Sequence, residues 1–245
     1  MATLFISDLH LCAERPEKLE LFKKLLRGPA RKAESLYILG DLFEAWAGDD
    51  DITQPHEEII SELADYSESG HTFFIMRGNR DYLMSRQFTE KTGGQLLNDE
   101  TLITLNGERI LLMHGDTLCT EDVKYQVFRR VINNVISRKF FMCFPYNMRM
   151  KVWHKIRNAA KKSAANSSGY LIDVYQPTIE KMMMKYDTLR LIHGHTHRQA
   201  VHEFKLNGQD ATRTVLGDWI NGDSVLVADE NDFRLVGVDE YLSKS

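Results

Sequence analysis

Five short apolar runs in this chain each end on residues that can hold a metal or a phosphate, and that recurrence restricts the fold more than any other feature. Leu36 to Leu39 runs into Gly40-Asp41, and Thr3 to Ile6 leads to Asp8-Leu-His10. Phe73 to Met76 leads to Gly78-Asn-Arg-Asp81, Ile110 to Met113 to His114-Gly-Asp116, and Leu189 to Ile192 to His193-Gly-His-Thr-His197. Apolar runs of this length read as buried strands. In an open α/β sheet, groups just past the carboxyl ends of strands sit where ligands bind. One Gly-Asp after a strand is ordinarily a turn. Five such ends bringing Asp, His, Asn and Gly to one edge describe a metal site.

The candidate ligands are Asp8, His10, Asp41, Asn79, His114, His195 and His197. Asp8 and His10, like His195 and His197, lie two apart, so an extended segment points both the same way. Oxygen and imidazole donors without thiolates suit Mn, Fe, Zn or Co rather than a structural thiolate zinc site. Seven donors over-supply one ion. Two ions sharing a bridging carboxylate, assigned to Asp41, is the economical arrangement. Two metals about 3.5–4 Å apart clamp the oxygens of a phosphoryl transfer and lower the pKa of bound water. No G-x-S-x-G elbow, G-x-x-x-x-G-K-[ST] loop or G-x-G-x-x-G turn is present to suggest another chemistry.

At 245 residues the chain can bury one core and still carry a sizeable insertion. Cys12, Cys119 and Cys143 are too scattered for a disulfide framework or zinc finger, which fits a reducing cytoplasm. No signal peptide is expected at Met1 to Cys12, which lacks a basic start and is interrupted by Asp8. No stretch approaches the roughly 18 apolar residues of a membrane span. Charge is distributed unevenly. Val123 to Ile172 holds eleven Lys or Arg and no Asp or Glu, so a chain of net charge −4 leaves −15 on the remainder. A one-sign block of this kind points to an anionic partner.

Helical spacing is expected over Pro16 to Leu26 and His56 to Tyr66. Asn106-Gly107 joins Leu102–Leu105 and Arg109–Met113 as a tight hairpin. From Leu118 to about Asp187 the βα rhythm gives way to a helical, basic and aromatic stretch. It resumes at Leu189, with strands expected over Val201–Leu206, Thr212–Gly217 and Ser224–Val227. The expected organisation is a core of residues 1–117 and 188–245, interrupted by a helical insertion at 118–187 that covers the site.

The five motifs resemble those of the calcineurin-like metallophosphoesterase superfamily. That likeness implies an α/β fold, a four-layer α/β/β/α sandwich with a dinuclear site and, here, a helical cap. Where the superfamily commonly shows Gly-Asn-His, this chain reads Gly78-Asn79-Arg80. That variant, with Gly40 to Trp46, His114 to Asp122 and His193 to Arg198, is similar to the UDP-2,3-diacylglucosamine diphosphatases of lipid A biosynthesis. The likeness is close in the motifs and looser in the insertion and after about Val201. It implies hydrolysis of the substrate pyrophosphate to UMP and 2,3-diacylglucosamine 1-phosphate (lipid X), with two Mn²⁺ ions. It also implies a peripheral place on the cytoplasmic face of the bacterial inner membrane. Carried over, one ion is held by Asp8, His10, Asp41 and His197, and the other by Asp41, Asn79, His114 and His195. Asp41, Asn79, Arg80 and His195 are the catalytic candidates. Asn79, Arg80, Asp122, Tyr125, Arg157, Asn166, Ser167 and His195 are the candidate substrate contacts, and Lys161–Ser168 departs from the family pattern.

A lipid-nucleotide substrate also gives the insertion a purpose. Tyr125, Phe128, Val131, Ile132, Val135 and Ile136 follow helical spacing, with Arg129, Arg130, Arg138 and Lys139 around them. Basic amphipathic helices rich in aromatics lie at membrane interfaces. The competing reading is a phosphoesterase acting on nucleotides or nucleic acid, which the basic segment permits but its apolar excess argues against. A non-catalytic scaffold is expected to have lost ligands, and here every motif position is filled.

Overall fold

The apolar runs form strands because they are buried on both faces, as parallel strands packed between layers must be. Thr3–Ile6 is buried throughout, and Phe73–Met76 and Arg190–His193 are nearly so. The computed structural model describes residues 2–51, 53–166, 173–220, 222–230 and 232–244, with 160–166 described as backbone only. In chain order the elements are β1 (Thr3–Ile6), α1 (Pro16–Arg27), β2 (Ser35–Leu39), α2 (His56–Glu68), β3 (Phe73–Met76), α3 (Arg86–Thr92) and β4 (Gln95–Leu96). There follow β5 (Glu100–Leu105), β6 (Glu108–Met113), α4 (Val123–Asn133), α5 (Val135–Met142), α6 (Tyr146–Asn166) and α7 (Gln176–Lys185). The chain closes with β7 (Arg190–His193), β8 (Ala200–Leu206), β9 (Gln209–Val215), β10 (Ser224–Ala228), β11 (Phe233–Gly237) and α8 (Val238–Lys244).

Two sheets result, ordered β11-β10-β1-β2-β3-β4 and β5-β6-β7-β9-β8. β1, β2 and β3 run parallel in the first sheet, and β6, β7 and β9 in the second. Between the sheets, Phe5, Leu39 and Met76 meet Ile110, Leu112, Ile192 and Leu216. On the outer face of the first sheet, α1, α2 and α3 place Phe22, Leu25, Ile59, Leu63 and Phe88 over Leu4, Ile6, Leu36 and Ile38. α7 sets Ile179 and Met183 on Leu111, Met113 and Leu191 of the second sheet. The stack is therefore α/β/β/α, as the motifs imply. α7 lies in the stretch expected to be insertion but serves as the sandwich's fourth layer.

Asn106 and Gly107 both take positive φ, 52° and 80°, the tight hairpin that Asn-Gly favours. The apolar stripe expected along Tyr125 to Ile136 is not one face. Asn134 ends α4 and caps α5, accepting from Ile136 N–H, and this break divides the stripe. Tyr125, Phe128 and Ile132 are half-buried, whereas Val131, Val135 and Ile136 are exposed.

Candidate metal centre

Five of the seven expected ligands occupy a backbone region that L-residues rarely adopt. Asp8 (φ 56°), His10 (49°), Asp41 (53°), His195 (71°) and His197 (59°) are all left-handed, at roughly 1–2 kcal/mol per residue. Such conformations persist only where the surroundings over-determine them, and here they do. Asp8 N–H donates to Gly40 O at 3.1 Å, His10 N–H to Asp41 O at 2.9 Å, and Trp219 N–H to Asp8 O at 3.0 Å. The β1 and β2 loops thus stay paired beyond the sheet. Asp81, fully buried, accepts from Gly78 N–H at 2.6 Å and Leu42 N–H at 2.8 Å, tying the β3 loop to the β2 loop. Two glycines let the loops approach. A Cβ on Gly78 would overlap Asp41 N and Oδ1, and one on Gly194 would overlap Ser7 Oγ and Asp8 Oδ2.

These loops gather two sets of donors, Asp8 with His10 and His197, and Asp8 with Asp41 and His114, each set within 4.8 Å. Asp41 faces both ways, with Oδ2 3.8 Å from His10 Nε2 and Oδ1 3.8 Å from His114 Nε2. The imidazoles are aimed from behind, as metal-binding histidines commonly are. His114 Nδ1 lies 2.9 Å from Leu39 O, and His197 Nδ1 2.8 Å from Asp218 Oδ2, so both Nε2 atoms face inward. His10 Nε2 and His197 Nε2 are 3.2 Å apart. An amide atom of Asn79 lies 2.6 Å and 3.1 Å from the two Asp41 oxygens. As the amide nitrogen, that atom donates to both. His195 belongs to neither set. Its ring packs 5.1 Å from that of His114 and 6.3 Å from that of Tyr125, and its N–H donates to Asp8 Oδ2 at 2.8 Å.

Asp8 Oδ1 and His114 Nε2 are buried without hydrogen-bond partners among the described residues. Buried acceptors converging on one space suit divalent cations, and the oxygen and imidazole donor set agrees. With the protein's own charges alone, protons fill that demand. Burial, with Asp81 and Asp8 alongside, raises Asp41 above the usual carboxylate range. Burial opposes charge on His114, but Asp41, Asp8 and Asp116 outweigh it and push its pKa up to about 9. Burial likewise opposes charge on His197, yet Asp218 and Asp8 push it up to about 10. Burial, reinforced by the charge of His114, lowers His195 to about 4.

The other expected residues divide. Arg80 is at the site: its N–H donates to Asp41 Oδ1 at 2.8 Å, and its Nε lies 3.9 Å from Asp41 Oδ2. Arg157 reaches in from α6 to Glu44 Oε1 at 3.2 Å. Tyr125 donates its hydroxyl to Asp116 Oδ2 at 2.6 Å, where Arg129 also donates. Asp122 caps α4, with Oδ1 accepting from Tyr125 N–H at 2.9 Å. Asn166 closes α6 but its side chain lies outside the described residues, as does Ser167 altogether. The sequence reading missed Ser7, Glu44 and Asp218. Asp218 had a signal, because Gly217-Asp218 follows a strand just as Gly40-Asp41 does.

The profile of the calcineurin-like phosphoesterases matches residues 1–199. The chain belongs to that family. This phosphoesterase is 42% identical over 235 residues to the UDP-2,3-diacylglucosamine hydrolase of Aeromonas hydrophila, covering 96% of this chain and 98% of that one. It is 43% identical over 236 residues to the protein of the same name from Escherichia coli O81, again covering 96% and 98%. Among solved structures, Yfce, a phosphoesterase from E. coli, shares the fold with a TM-score of 0.50 at 16% identity, covering 98% of this chain and 94% of that one.

Two outcomes follow from the geometry. Gly78→Ala pushes a methyl group into the Asp41 carboxylate. Its Mn²⁺ affinity, read by titration calorimetry, should fall at least about tenfold; unchanged affinity would refute this placement. Because ligands must shed protons to bind metal, Mn²⁺ binding should release protons from His114 and His197. Apparent affinity should then rise with pH until the region of their raised values, about 9 and about 10. Calorimetry in buffers of differing ionisation enthalpy counts those protons.

Proposed function

We propose that this chain hydrolyses the pyrophosphate bond of UDP-2,3-diacylglucosamine, giving UMP and 2,3-diacylglucosamine 1-phosphate. The observation that carries this reading is a pair of under-satisfied guanidinium groups beside the donor cradle. Arg80 and Arg157 are only 16% and 22% exposed, and each has a buried Nε–H without an acceptor among the described residues. Two such cations next to Asp41 suit the two phosphates of a diphosphate. The lipid-nucleotide identity of that diphosphate is supported by the named relatives, matched nearly end to end.

In this reading Asp8, His10, Asp41 and His197 hold one divalent cation and Asp41, Asn79, His114 and His195 a second, with Asp41 shared. We infer Mn²⁺ from the likeness to the diacylglucosamine diphosphatases, since a nitrogen and oxygen donor set suits Mn, Fe, Zn and Co alike. Such ions supply acidified water and a counter-charge for phosphoryl oxygens. Arg80 and Arg157 neutralise the diphosphate and hold it in line. The departing phosphate monoester has a second pKa of about 6, so it leaves without a proton. A fixed cation at position 80 therefore serves where a protonated histidine is unnecessary. Beside Gly78 and Asn79 lies a small cleft, with room for little more than a water molecule, lined by Tyr82, Tyr125 and Ile132 with Arg77, Arg129, Asp99 and Asp116. α4, α5 and α6 act as the cover of the site.

We further infer that the cover faces the inner membrane from the cytoplasmic side. No described helix is long and apolar enough to cross a membrane. Val123, Val127 and Val131 form an exposed stripe on α4, and Val135, Ile136 and Phe140 are exposed on α5. Exposed Lys124, Arg130 and Lys139 flank it, the composition of an interfacial surface. Wild-type protein should sediment with phosphatidylglycerol vesicles and V127E/I136E should stay in the supernatant. Equal sedimentation of the two would remove the membrane assignment.

The substrate assignment is tested with UDP-2,3-diacylglucosamine and Mn²⁺ in detergent micelles made in ¹⁸O-water. UMP release abolished by chelator is expected, with the label reporting which phosphorus is attacked. Arg80→Ala should slow turnover about 10²-fold, the scale of losing one charge-stabilising donor. Cleavage of a generic phosphodiester with no UMP formed would leave the metal centre standing and overturn the substrate.

A further inference from the structure

Glu44 lies three residues beyond Asp41, on backbone that is firmly held. Leu11 N–H donates to Leu42 O at 2.9 Å and Glu44 N–H to Leu11 O at 3.1 Å, with a parallel bridge between Leu11 and Phe43. Its carboxylate is divided among three groups from distant parts of the chain. Oε2 is 3.5 Å from His10 Nδ1 and accepts from Arg15 Nη2 at 3.3 Å, while Oε1 accepts from Arg157 Nη2 at 3.2 Å.

His10 is the exception among the inward-facing imidazoles. His114 and His197 have Nδ1 partners at 2.9 and 2.8 Å. His10 Nδ1 is buried with no hydrogen bond, and Glu44 faces it at 3.5 Å. A carboxylate shared with two guanidinium groups gives a long contact of this kind. On its other side Glu44 ends a ladder between α6 and the loop after β2. Tyr146 donates to Asp51, Arg149 to Ala47 O and Asp50, and Arg157 to Glu44. The helix and loop run in opposite senses, so one helix face meets residues 44–51 rung by rung.

We propose that Glu44 is a positioning residue that sets the His10 imidazole and the Arg157 guanidinium with a single carboxylate. Through Oε2 it favours the tautomer with hydrogen on Nδ1, leaving His10 Nε2 for the metal side. Through Oε1 it keeps Arg157 at the site until an anionic substrate takes that cation over. Occupation of the cap side then frees Glu44 to close on His10. This rests on the metal and Arg157 roles proposed above.

The test uses E44Q, R157A and the double variant of the full chain. Mn²⁺ binding is read from the electron-paramagnetic-resonance signal of the free ion, independently of any substrate. E44Q should weaken one of two binding steps by about tenfold or more and leave the other unchanged, whereas R157A, which frees Glu44 toward His10, should weaken neither. With substrate, E44Q should raise KM in the wild-type background and add nothing in the R157A background. Wild-type Mn²⁺ affinity in E44Q overturns the His10 role, and additive KM effects overturn the link to Arg157. If the wild type itself releases no UMP, the substrate reading fails while the metal titration still decides Glu44. Should E44Q prove unfolded by circular dichroism, E44D makes the same test, since a shortened carboxylate keeps the charge but loses both contacts.

Discussion

Two buried carboxylates set the conditions under which the rest of this molecule is arranged. Asp8 and Asp41 are at most 1% exposed, and an uncompensated buried ion costs several kcal/mol. The protein supplies part of the compensation. Ser7 Oγ–H and His195 N–H donate to Asp8 Oδ2, and Arg80 N–H donates to Asp41 Oδ1. It leaves the remainder open, since Asp8 Oδ1 has no donor among the described residues and His114 Nε2 is aimed at the same space. A folded protein that gathers acceptors around a shared volume has a cation as the resolving partner, and loses part of that stability when protons replace it.

That cradle explains the backbone around it. Left-handed residues at Asp8, His10, Asp41, His195 and His197 are costly as isolated turns. They are held because sheet pairing continues past the strand ends and because Asp81 ties two loops together. Gly78 and Gly194 permit the close approach of one loop to the next loop's carboxylate. Strain, glycine and buried charge are therefore one feature, placed where the parallel strands of two sheets end together.

The strands and the candidate ligand loops that follow them were legible because both obey local rules. A continuous apolar run followed by Gly and a donor needs no tertiary information, and β1 and β3 begin and end where the pattern placed them. The same rule would have flagged Asp218 after Gly217. α3 and α8 were not anticipated, being seven residues each with no long apolar period to reveal them. α7 was hidden inside a helical stretch, because its membership in the sandwich depends on Leu111 and Leu191 far away in sequence. The division of the insertion's apolar stripe turned on one residue, Asn134, whose capping ends α4 and restarts the helix in a new direction. Glu44 carried no local sign, since the arginine it holds is 113 residues away.

The charge asymmetry has two uses. The cations of Val123–Ile172 first meet the acidic remainder of the same chain: Arg129 pairs with Asp116 and Asp99, Arg149 with Asp50, and Arg157 with Glu44. Lys124, Arg130 and Lys139 remain on the outer surface beside exposed valine, isoleucine and phenylalanine. The inward arginines are not equivalent. Burial opposes charge on Arg129, but two carboxylates outweigh it and raise its pKa further, so it is fastened. For Arg157, burial and the neighbouring charge of Arg80 prevail over Glu44 and lower its pKa, so its guanidinium is short of negative charge. An arginine locked by two carboxylates ties the cap to the core, whereas one left short of negative charge beside Asp41 is the group that the proposed function assigns to an anionic substrate.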